Sequence, residues 1–336
     1  RALVETLGVP VISSWNASDL LATDHDCYIG RCGILGDRAG NFTVQNADLI
    51  IFIGTRMSLP QTGYNFSMFA REAKLVVVDI DEKEIVKPSL RTDLGIVADA
   101  GDFIDTLSAK LGNGVAGQGS DEWLTTCRDQ KQCYPVVLDE YRDNTDRVNS
   151  YVFVDELAER LDDEAIIVTD MGTAFTCTMQ TFATKQGQRL FTSSGLAAMG
   201  YGLPAAIGAC YGGGGKRVVC LAGDGGLQMS VMELQTLVQY NLPITLFVLD
   251  NNGYMSIRWT QQKHFGRDVG AGPDSGQSCP DFVKVAEAYG LPALRISDQK
   301  DLAAGLDQAL AAEGPLVCVV DMPEMQELIP RVSTDQ

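Results

Sequence analysis

The sequence is poor in the residues from which several common kinds of site are built. Its 336 residues include only two histidines, His25 and His264, so a His-rich metal centre or a Ser-His-Asp triad has almost no material. The nine cysteines form no Cys-x-x-Cys pair, and Cys210, Cys220 and Cys318 lie inside apolar segments. We therefore expect reduced core cysteines in a cytoplasmic protein, without disulfides or structural zinc.

Positive charge is also scarce. The chain has 26 Lys and Arg against 44 Asp and Glu, which gives a formal net charge of −18. This balance argues against nucleic acid or an anionic membrane as the main partner, although a helix N-terminus can still bind a small anion. No apolar run is long enough to span a bilayer, and we expect no signal peptide at the N-terminus.

What the sequence does contain is an alternation of helices and short aliphatic strands, first in residues 1–111. The segments Pro10–Ser14, Asp48–Gly54 and Lys74–Asp81 are continuous apolar runs, which are typical of parallel strands buried on both faces. Because the chain opens on a helix followed by a strand, we expect the first strand of this domain to be absent. The sequence then reads as a piece of a longer protein.

A second α/β domain is predicted over residues 151–336. The region 112–150 between the two domains begins with the Gly-rich stretch Gly112–Ser120 and is interpreted as a linker. Strands are expected at the apolar runs 165–172, 190–194, 217–226, 243–253 and 315–322, and one continuous helix over 227–240. The predicted fold class is α/β, with two doubly wound parallel-sheet domains joined by a Gly-rich linker.

Two neighbouring strands of the second domain end in small polar residues. Asp224 follows one strand, Asn251 follows the next, and a helix joins the two. Because such a crossover makes the strands parallel, both side chains are expected at the same edge of the sheet, where open α/β sheets bind ligands. Gly225 and Gly226 would let backbone N–H groups approach a phosphate closely.

The chemistry expected at this edge is that of a magnesium–diphosphate site. A carboxylate, an amide oxygen and a glycine carbonyl are hard oxygen ligands, too few to saturate a cation that also binds phosphates and water. The alternative interpretation is that both segments are ordinary turns, since Asp, Asn and Gly all favour turns.

These residues resemble a known family. The motif Gly223-Asp224-Gly225 with Asn251-Asn252 is similar to that of the diphosphate-binding domain of thiamine diphosphate (ThDP) enzymes. The sequence around the motif resembles the acetolactate synthase branch of this family. The resemblance implies that Asp224, Asn251 and the carbonyl of Gly253 bind Mg²⁺, with Asn252 the weaker candidate.

The resemblance also implies how the rest of the cofactor is held. Met199 would press ThDP into a bent shape, and the carbonyl of Ala197 would accept a hydrogen bond from its 4′-amino group. The catalytic glutamate of the family lies in a separate pyrimidine-binding domain that we do not find in this sequence. The remaining implied cofactor contacts are Gly172, Thr173, Ala174, Gly223, Gly225, Gly226 and Tyr254.

The first domain resembles the central domain of the same family, which binds FAD in some relatives. The positions that match a flavin site are Gly54, Thr55, Arg56, Asp79, Ile80 and Asp99. Arg56 at a strand end is suited to pairing with a phosphate. The alternative is that Asp79 only ends a strand. This alternative stays open because relatives of the same fold lack flavin.

The segment Tyr254–Gly266 is expected to run over the cofactor as a helix, with the polar loop 266–278 ordering on binding. Met255, Arg258 and Trp259 are the candidates for substrate contact, and Arg258 would suit a carboxylate or a sugar phosphate. Ordinary helix surface is the alternative for these residues.

The function that follows is decarboxylation of a 2-oxo acid, by resemblance pyruvate, with transfer of the acyl carbanion to a carbonyl acceptor. The expected cofactors are ThDP and Mg²⁺, with FAD as a candidate. The expected partners are a pyrimidine-binding domain of the same or another polypeptide and further copies in a homodimer or tetramer. The alternatives are a simple decarboxylase or oxidase, an acyltransferase acting on a keto-sugar, and a non-catalytic structural subunit.

Overall fold

The structure, a computed structural model, describes residues 1–112, 120–143 and 146–329. It divides into two compact units whose main segments are Arg1–Val136 and Val137–Leu328. Most of the predicted Gly-rich linker, residues 113–119, lies outside the described residues. Within the described part of the chain no helix is long and apolar enough to cross a membrane.

The first unit is built from short parallel strands and the helices between them. Its helices are α1 (Ala2–Leu7), α2 (Arg38–Asn46), α3 (Leu59–Thr62), α4 (Glu82–Ile85), α5 (Ala100–Leu111) and α6 (Ser120–Cys133). Its strands are β1 (Val11–Ser13), β2 (Tyr28–Arg31), β3 (Leu49–Ile53), β4 (Lys74–Asp79) and β5 (Leu94–Val97). β1 pairs with β2, and β3, β4 and β5 form a second parallel sheet in that order.

The prediction that the strands of this unit are buried on both faces is wrong for β3. Phe52 faces the core, but Leu49 is 51% exposed and Ile51 39% exposed. β3 therefore has one packed face and one open face within its unit. A continuous apolar run does not reveal this difference, because it reads the same whether one or both faces are covered.

The second unit has one larger sheet. Its helices are α7 (Asp139–Arg142), α8 (Ser150–Arg160), α9 (Thr173–Thr181), α10 (Gly202–Gly212), α11 (Asp224–Gln228), α12 (Leu234–Tyr240), α13 (Met255–Phe265), α14 (Phe282–Ala288) and α15 (Leu302–Leu310). Its strands are β6 (Ile166–Thr169), β7 (Arg189–Thr192), β8 (Val218–Gly223), β9 (Ile244–Asp250), β10 (Ala293–Ile296) and β11 (Leu316–Asp321).

The six strands are all parallel and lie in the order β10-β11-β9-β8-β6-β7. β6 and β8 are neighbours, yet the chain leaves β6 toward β7 and leaves β8 toward β9, in opposite directions. Such a switch point opens a crevice at the carboxyl ends of the two strands. β8, β9 and β11 are buried almost throughout, so the central strands form a rigid platform for the loops that follow them.

The strands β2, β5 and β10 and the helix α15 were not predicted, because the three strands are only four residues long and lack a long apolar run. The single helix expected over 227–240 is broken. Ser230 leaves the helical conformation with φ −134°, and a short 3₁₀ turn at Val231–Glu233 separates α11 from α12. The predicted core cysteines are confirmed: Cys210, Cys220 and Cys318 are buried free thiols.

Candidate functional site

The carboxyl ends of β6, β8 and β9 bring together three loops that carry most of the predicted cofactor contacts. Gly172 follows β6 and, with φ 75°, directly precedes α9. Gly223 ends β8 in an extended conformation, directly before Asp224. Asn251 directly follows β9. Parallel pairing of β8 with both β6 and β9 places these loops side by side.

Asp224 joins the second and third loops. Its carboxylate is 2% exposed and accepts hydrogen bonds from the N–H of Gly225 at 2.7 Å and of Gly253 at 2.7 Å. Asp224 and Gly253 are thus in direct contact, although 28 residues separate them in the sequence. Two of the three predicted metal ligands lie together.

Burial dominates the electrostatics of Asp224. Desolvation by burial, with a smaller contribution from the nearby Asp250, raises the pKa of its carboxyl to about 7, although the two backbone N–H bonds partly offset the rise. A divalent cation at this point would stabilise the charged carboxylate and reverse the shift.

Asn251 brings a buried amide group to this edge of the sheet. The side chain is 4% exposed, and its Nδ2 donates to the Oγ1 of Thr173 at 3.2 Å. The Thr173 hydroxyl in turn points at the Sδ of Met255, 3.9 Å away. The Oδ1 of Asn251 is buried and has no hydrogen-bond partner among the residues that the structure describes. An unsatisfied buried acceptor is costly, and an oxygen ligand to Mg²⁺ would satisfy it.

The third predicted ligand lies in a crowded loop. Gly253 has φ 132°, and a Cβ there would come within 2.5 Å of the Ala271 carbonyl oxygen and 2.9 Å of the Arg258 Nη2. Only glycine fits both the conformation and the space. Among the described residues no group of three or more His, Cys, Asp and Glu side chains could hold a metal. The donor set of Asp224, Asn251 and Gly253 mixes carboxylate, amide and carbonyl oxygens, and it fits Mg²⁺.

The two glycines after Asp224 have a different reason to be glycine from the one predicted. A Cβ at Gly225 would lie 2.0 Å from the Tyr254 ring, and one at Gly226 would lie 3.1 Å from the Oδ1 of Asp170. The Tyr254 ring therefore requires glycine at position 225, and Asp170 leaves little space at position 226, whether or not a phosphate approaches. The predicted contacts of Gly225, Gly226 and Tyr254 with the diphosphate stay predictions.

The predicted loop around Met199 borders the same crevice. Met199 is half-buried, and Ala197 is exposed in the left-handed region with φ 54°, which is unusual for a residue other than glycine. Ala174 is fully buried within α9, and its contact with the cofactor stays a prediction.

The candidates for substrate contact are mostly engaged by the protein itself. Met255 is buried beneath Thr173, and Trp259 is half-buried with the Lys263 ammonium 5.1 Å from its ring centroid. Contact of Met255 and Trp259 with a substrate stays a prediction.

The Arg258 side chain donates its hydrogen bonds to backbone carbonyls and does not face solvent. Its side chain is buried and donates to four carbonyl oxygens, at distances from 2.7 to 3.1 Å. The four carbonyls belong to Asn251, Asn252, Ala271 and Glu324. Ala271, within the loop expected to order on binding, is fully buried and also accepts from the Tyr254 N–H. The observed contacts make Arg258 a clamp on the predicted metal loop.

The candidate flavin residues of the first unit lie at its strand ends. Gly54, Thr55 and Arg56 follow β3, Asp79 ends β4 and is followed by the exposed Ile80, and Asp99 caps α5 by accepting from the N–H of Gly101. Of these residues, Thr55, Arg56 and Asp79 line a small pocket.

Arg56, the cationic residue among the candidate flavin residues, already has a protein partner. The Arg56 guanidinium lies 2.8 Å from the Glu84 carboxylate, which also pairs with Lys87 at 2.9 Å. The side-chain bonds to Lys87 and Arg56 lower the pKa of Glu84. Glu84 already balances the charge of Arg56, so the donor set does not by itself support FAD.

Comparison with known proteins matches this chain in two parts. Residues 1–107 match the family model described as thiamine pyrophosphate enzyme, central domain, and residues 170–320 match that described as thiamine pyrophosphate enzyme, C-terminal TPP binding domain. The second match begins directly after β6, ends within β11 and contains Asp224, Asn251 and Gly253.

Three similar proteins carry the same activity in their names. The chain is 32% identical to a probable acetolactate synthase large subunit of Methanocaldococcus jannaschii, over 98% of the chain and 56% of that protein. It is 29% identical to acetolactate synthase isozyme 1 large subunit of Escherichia coli, over 99% of the chain and 57% of that protein. It is 29% identical to acetolactate synthase 1, chloroplastic, of Zea mays, over 99% of the chain and 52% of that protein.

The chain thus belongs to the thiamine pyrophosphate enzyme family and resembles its acetolactate synthases. It spans about half the length of these curated relatives.

Two features of the site were missed by sequence reasoning. The hydroxyl of Thr173 orients the Asn251 amide, and Arg258 clamps the loop that follows β9. A lone threonine carried no sequence signal for this role. The cationic Arg258 close to the Asn251-Asn252 pair was a signal, but it was interpreted as a substrate contact.

Proposed function

We propose that this chain binds ThDP and Mg²⁺ and serves the decarboxylation of a 2-oxo acid, pyruvate being the first candidate, with transfer of the acyl group to a carbonyl acceptor. The observation that carries the proposal is the buried, unpartnered Oδ1 of Asn251 beside the Asp224–Gly253 contact. A cation that binds oxygen ligands would satisfy this acceptor. The similarity to acetolactate synthases supports the choice of reaction.

The residues of this chain would act by holding and orienting the cofactor. Asp224, Asn251 and the Gly253 carbonyl would hold Mg²⁺, and Thr173 would keep the Asn251 amide oxygen turned to the metal. Met199 and the Ala197 carbonyl would set the bend of the cofactor. ThDP, when bound, supplies a carbanion that attacks the carbonyl carbon of a 2-oxo acid so that CO₂ can leave.

The proposal extends to what would complete the enzyme. A pyrimidine-binding domain, in the same or another polypeptide, would supply the catalytic glutamate, within a homodimer or tetramer. FAD in the first unit stays a proposal, supported by the match to the central domain and opposed by the Arg56–Glu84 ion pair. A cytoplasmic location is supported by the buried thiols.

The central test is Mg²⁺-dependent binding of ThDP, measured by titration calorimetry. Wild type should bind ThDP only with Mg²⁺, and Asp224→Ala should weaken binding by at least about tenfold. Glu164→Ala, which removes only an exposed ion pair with Lys216, is the control and should bind as wild type does. Unchanged affinity in Asp224→Ala would refute the metal site.

The reaction is tested separately. With a pyrimidine-binding domain supplied, CO₂ release from pyruvate is measured with and without an added carbonyl acceptor. Formation of a C–C product supports a carboligase, and CO₂ with an aldehyde alone supports the simple decarboxylase. A chain that binds ThDP but releases no CO₂ from any 2-oxo acid contradicts the proposed reaction.

A further inference from the structure

Asp170, the residue directly after β6, holds three backbone N–H groups with one buried carboxylate. Its Oδ1 accepts from the N–H of Met171 at 2.6 Å and of Gly200 at 3.1 Å. Its Oδ2 accepts from the N–H of Gly202 at 3.0 Å. The residue is fully buried. Two of its three bonds therefore reach the segment that directly follows Met199, some thirty positions along the chain.

No cation offsets this buried charge. The ion pairs of the described residues do not include Asp170, and burial raises the pKa of its carboxyl while only the three N–H bonds lower it. A buried carboxylate without a cation is costly and is retained where its hydrogen bonds fix a structure that is needed.

Glycines allow three backbone segments to converge on this side chain. A Cβ at Gly202 would lie 2.9 Å from the Cβ of Asp170, and one at Gly226 would lie 3.1 Å from its Oδ1. Gly200 has φ 79° and faces the Cβ of Met229. The part of the loop before Met199 is open, with Leu196 95% exposed, so the anchor of the loop lies on its Asp170 side.

We propose that Asp170 is a positioning residue that ties the Gly200–Gly202 backbone to the end of β6 and so fixes the place of Met199 relative to the Gly226 turn. This inference rests on the proposed function in one respect, since Met199 matters because it would set the bend of ThDP. The anchor itself is a property of the chain without any ligand.

Asp170→Asn tests the anchor with almost no change of shape. The asparagine side chain keeps one acceptor oxygen, but its NH₂ group faces a backbone N–H. At least one hydrogen bond is therefore lost, and two donors point at each other. Amide hydrogen exchange of Gly200 and Gly202, whose N–H groups bond to Asp170, should become at least tenfold faster in the ligand-free chain, while β8 and β9 keep their protection. Unchanged exchange at Gly200 and Gly202 would overturn the proposal.

A second readout separates positioning from general damage. With Mg²⁺ present, inorganic pyrophosphate probes the metal clamp alone, and ThDP probes the clamp together with the Met199 loop. Asp170→Asn should weaken ThDP at least tenfold and pyrophosphate less than threefold, and adding Met199→Ala should cause little further loss. An equal loss for both ligands contradicts the proposal. If wild type binds neither ligand, the proposed function fails, while the exchange experiment still decides the anchor.

A variant at Gly202 guards against misfolding of Asp170→Asn. Gly202→Ala places a methyl group against Asp170 and should loosen the same segment. Gly208→Ala, in the same helix α10 with open space around it, is the matched control and should leave exchange at Gly200 and Gly202 unchanged. Equal exchange in the two alanine variants would count against the anchor.

Discussion

At the scale of single residues, the site depends on side chains that meet across long stretches of sequence. Tyr254 fills the space beside Gly225, and Thr173 turns the amide of Asn251. Each of these contacts removes a degree of freedom from a loop that would hold Mg²⁺ or diphosphate. The site is therefore preorganised by its own neighbours before any cofactor binds.

Gly225→Ala should be destabilising by about 1–3 kcal/mol, because its methyl group would overlap the Tyr254 ring. Denaturant unfolding measures the change. Gly208→Ala, with open space around it in a helix, is the control and should stabilise by up to about 1 kcal/mol.

A double variant tests the cause of this effect. Tyr254→Ala removes the ring, so Gly225→Ala should cost much less in that background than in wild type. If the cost is the same in both backgrounds, the overlap with Tyr254 is not the reason for the glycine.

The raised pKa of Asp224 predicts a pH dependence of stability. Its folded value of about 7 exceeds its ordinary value of 3.8, so the folded state binds more protons between these values. Without Mg²⁺, the free energy of unfolding of wild type relative to Asp224→Asn should fall as the pH rises from about 4 to about 7. The slope should be at most about 1.4 kcal/mol per pH unit.

Mg²⁺ should act in the opposite direction over the same range, because it binds the ionised carboxylate. Its stabilisation of wild type, measured by thermal unfolding at fixed Mg²⁺, should therefore grow up to about pH 7. A difference between wild type and Asp224→Asn that does not change with pH would contradict the assignment.

At the scale of elements, one side chain of α13 connects the loops around the predicted metal ligands. Arg258 bonds to the loop after β9, to the loop at Ala271 and to the chain after β11 at Glu324. The planar guanidinium reaches four carbonyls at once, which a lysine ammonium cannot do. The first turn of α13 thus stabilises the conformation of the Asn251–Gly253 loop.

Arg258→Met should lower the free energy of unfolding by about 3 kcal/mol and weaken Mg²⁺ binding, because four carbonyls lose their donor. Arg258→Lys should recover only part of both losses. Arg217→Met is the matched control: Arg217 clamps the carbonyls of Leu310 and Ala312, so its loss should lower stability and leave Mg²⁺ affinity unchanged. Equal Mg²⁺ affinity in the Arg258 variants and wild type would assign Arg258 to stability alone.

At the scale of the whole molecule, the chain has two units, each with its own sheets. The residues proposed to hold ThDP and Mg²⁺ all lie in Val137–Leu328, whereas the candidate flavin residues all lie in Arg1–Val136. The net charge of −18 would repel an anionic cofactor at long range. Mg²⁺, bound as proposed, would also reduce the local negative charge.

Binding of ThDP with Mg²⁺ should protect only the second unit against hydrogen exchange, most strongly at the ends of β6, β8 and β9. At a ligand concentration 100 times Kd the stabilisation should be about 2.7 kcal/mol. FAD, if it binds, should protect Gly54–Arg56 and Asp79. Added FAD without any protection there would refute a flavin site, and protection of the first unit by ThDP would contradict the assignment of the cofactor to the second.

Part of this protein follows from the sequence alone. The alternation of apolar strands and helices determines two α/β units, and the small polar residues after β8 and β9 identify the edge where Asp224 and Asn251 lie. These features are local, since periodicity and turn chemistry depend on residues close in sequence. Short strands such as β5 were not predicted because their four residues form no long apolar run.

The tertiary structure alone decided which side chains serve that edge. Arg258 turned out to clamp backbone carbonyls, the ring of Tyr254 explained Gly225, and Asp170 proved to hold the segment after Met199. Each of these side chains contacts residues that are far from it in the sequence, so the sequence does not show that they are close in space. Only the packing of β6, β8 and β9 side by side brings them within hydrogen-bonding reach.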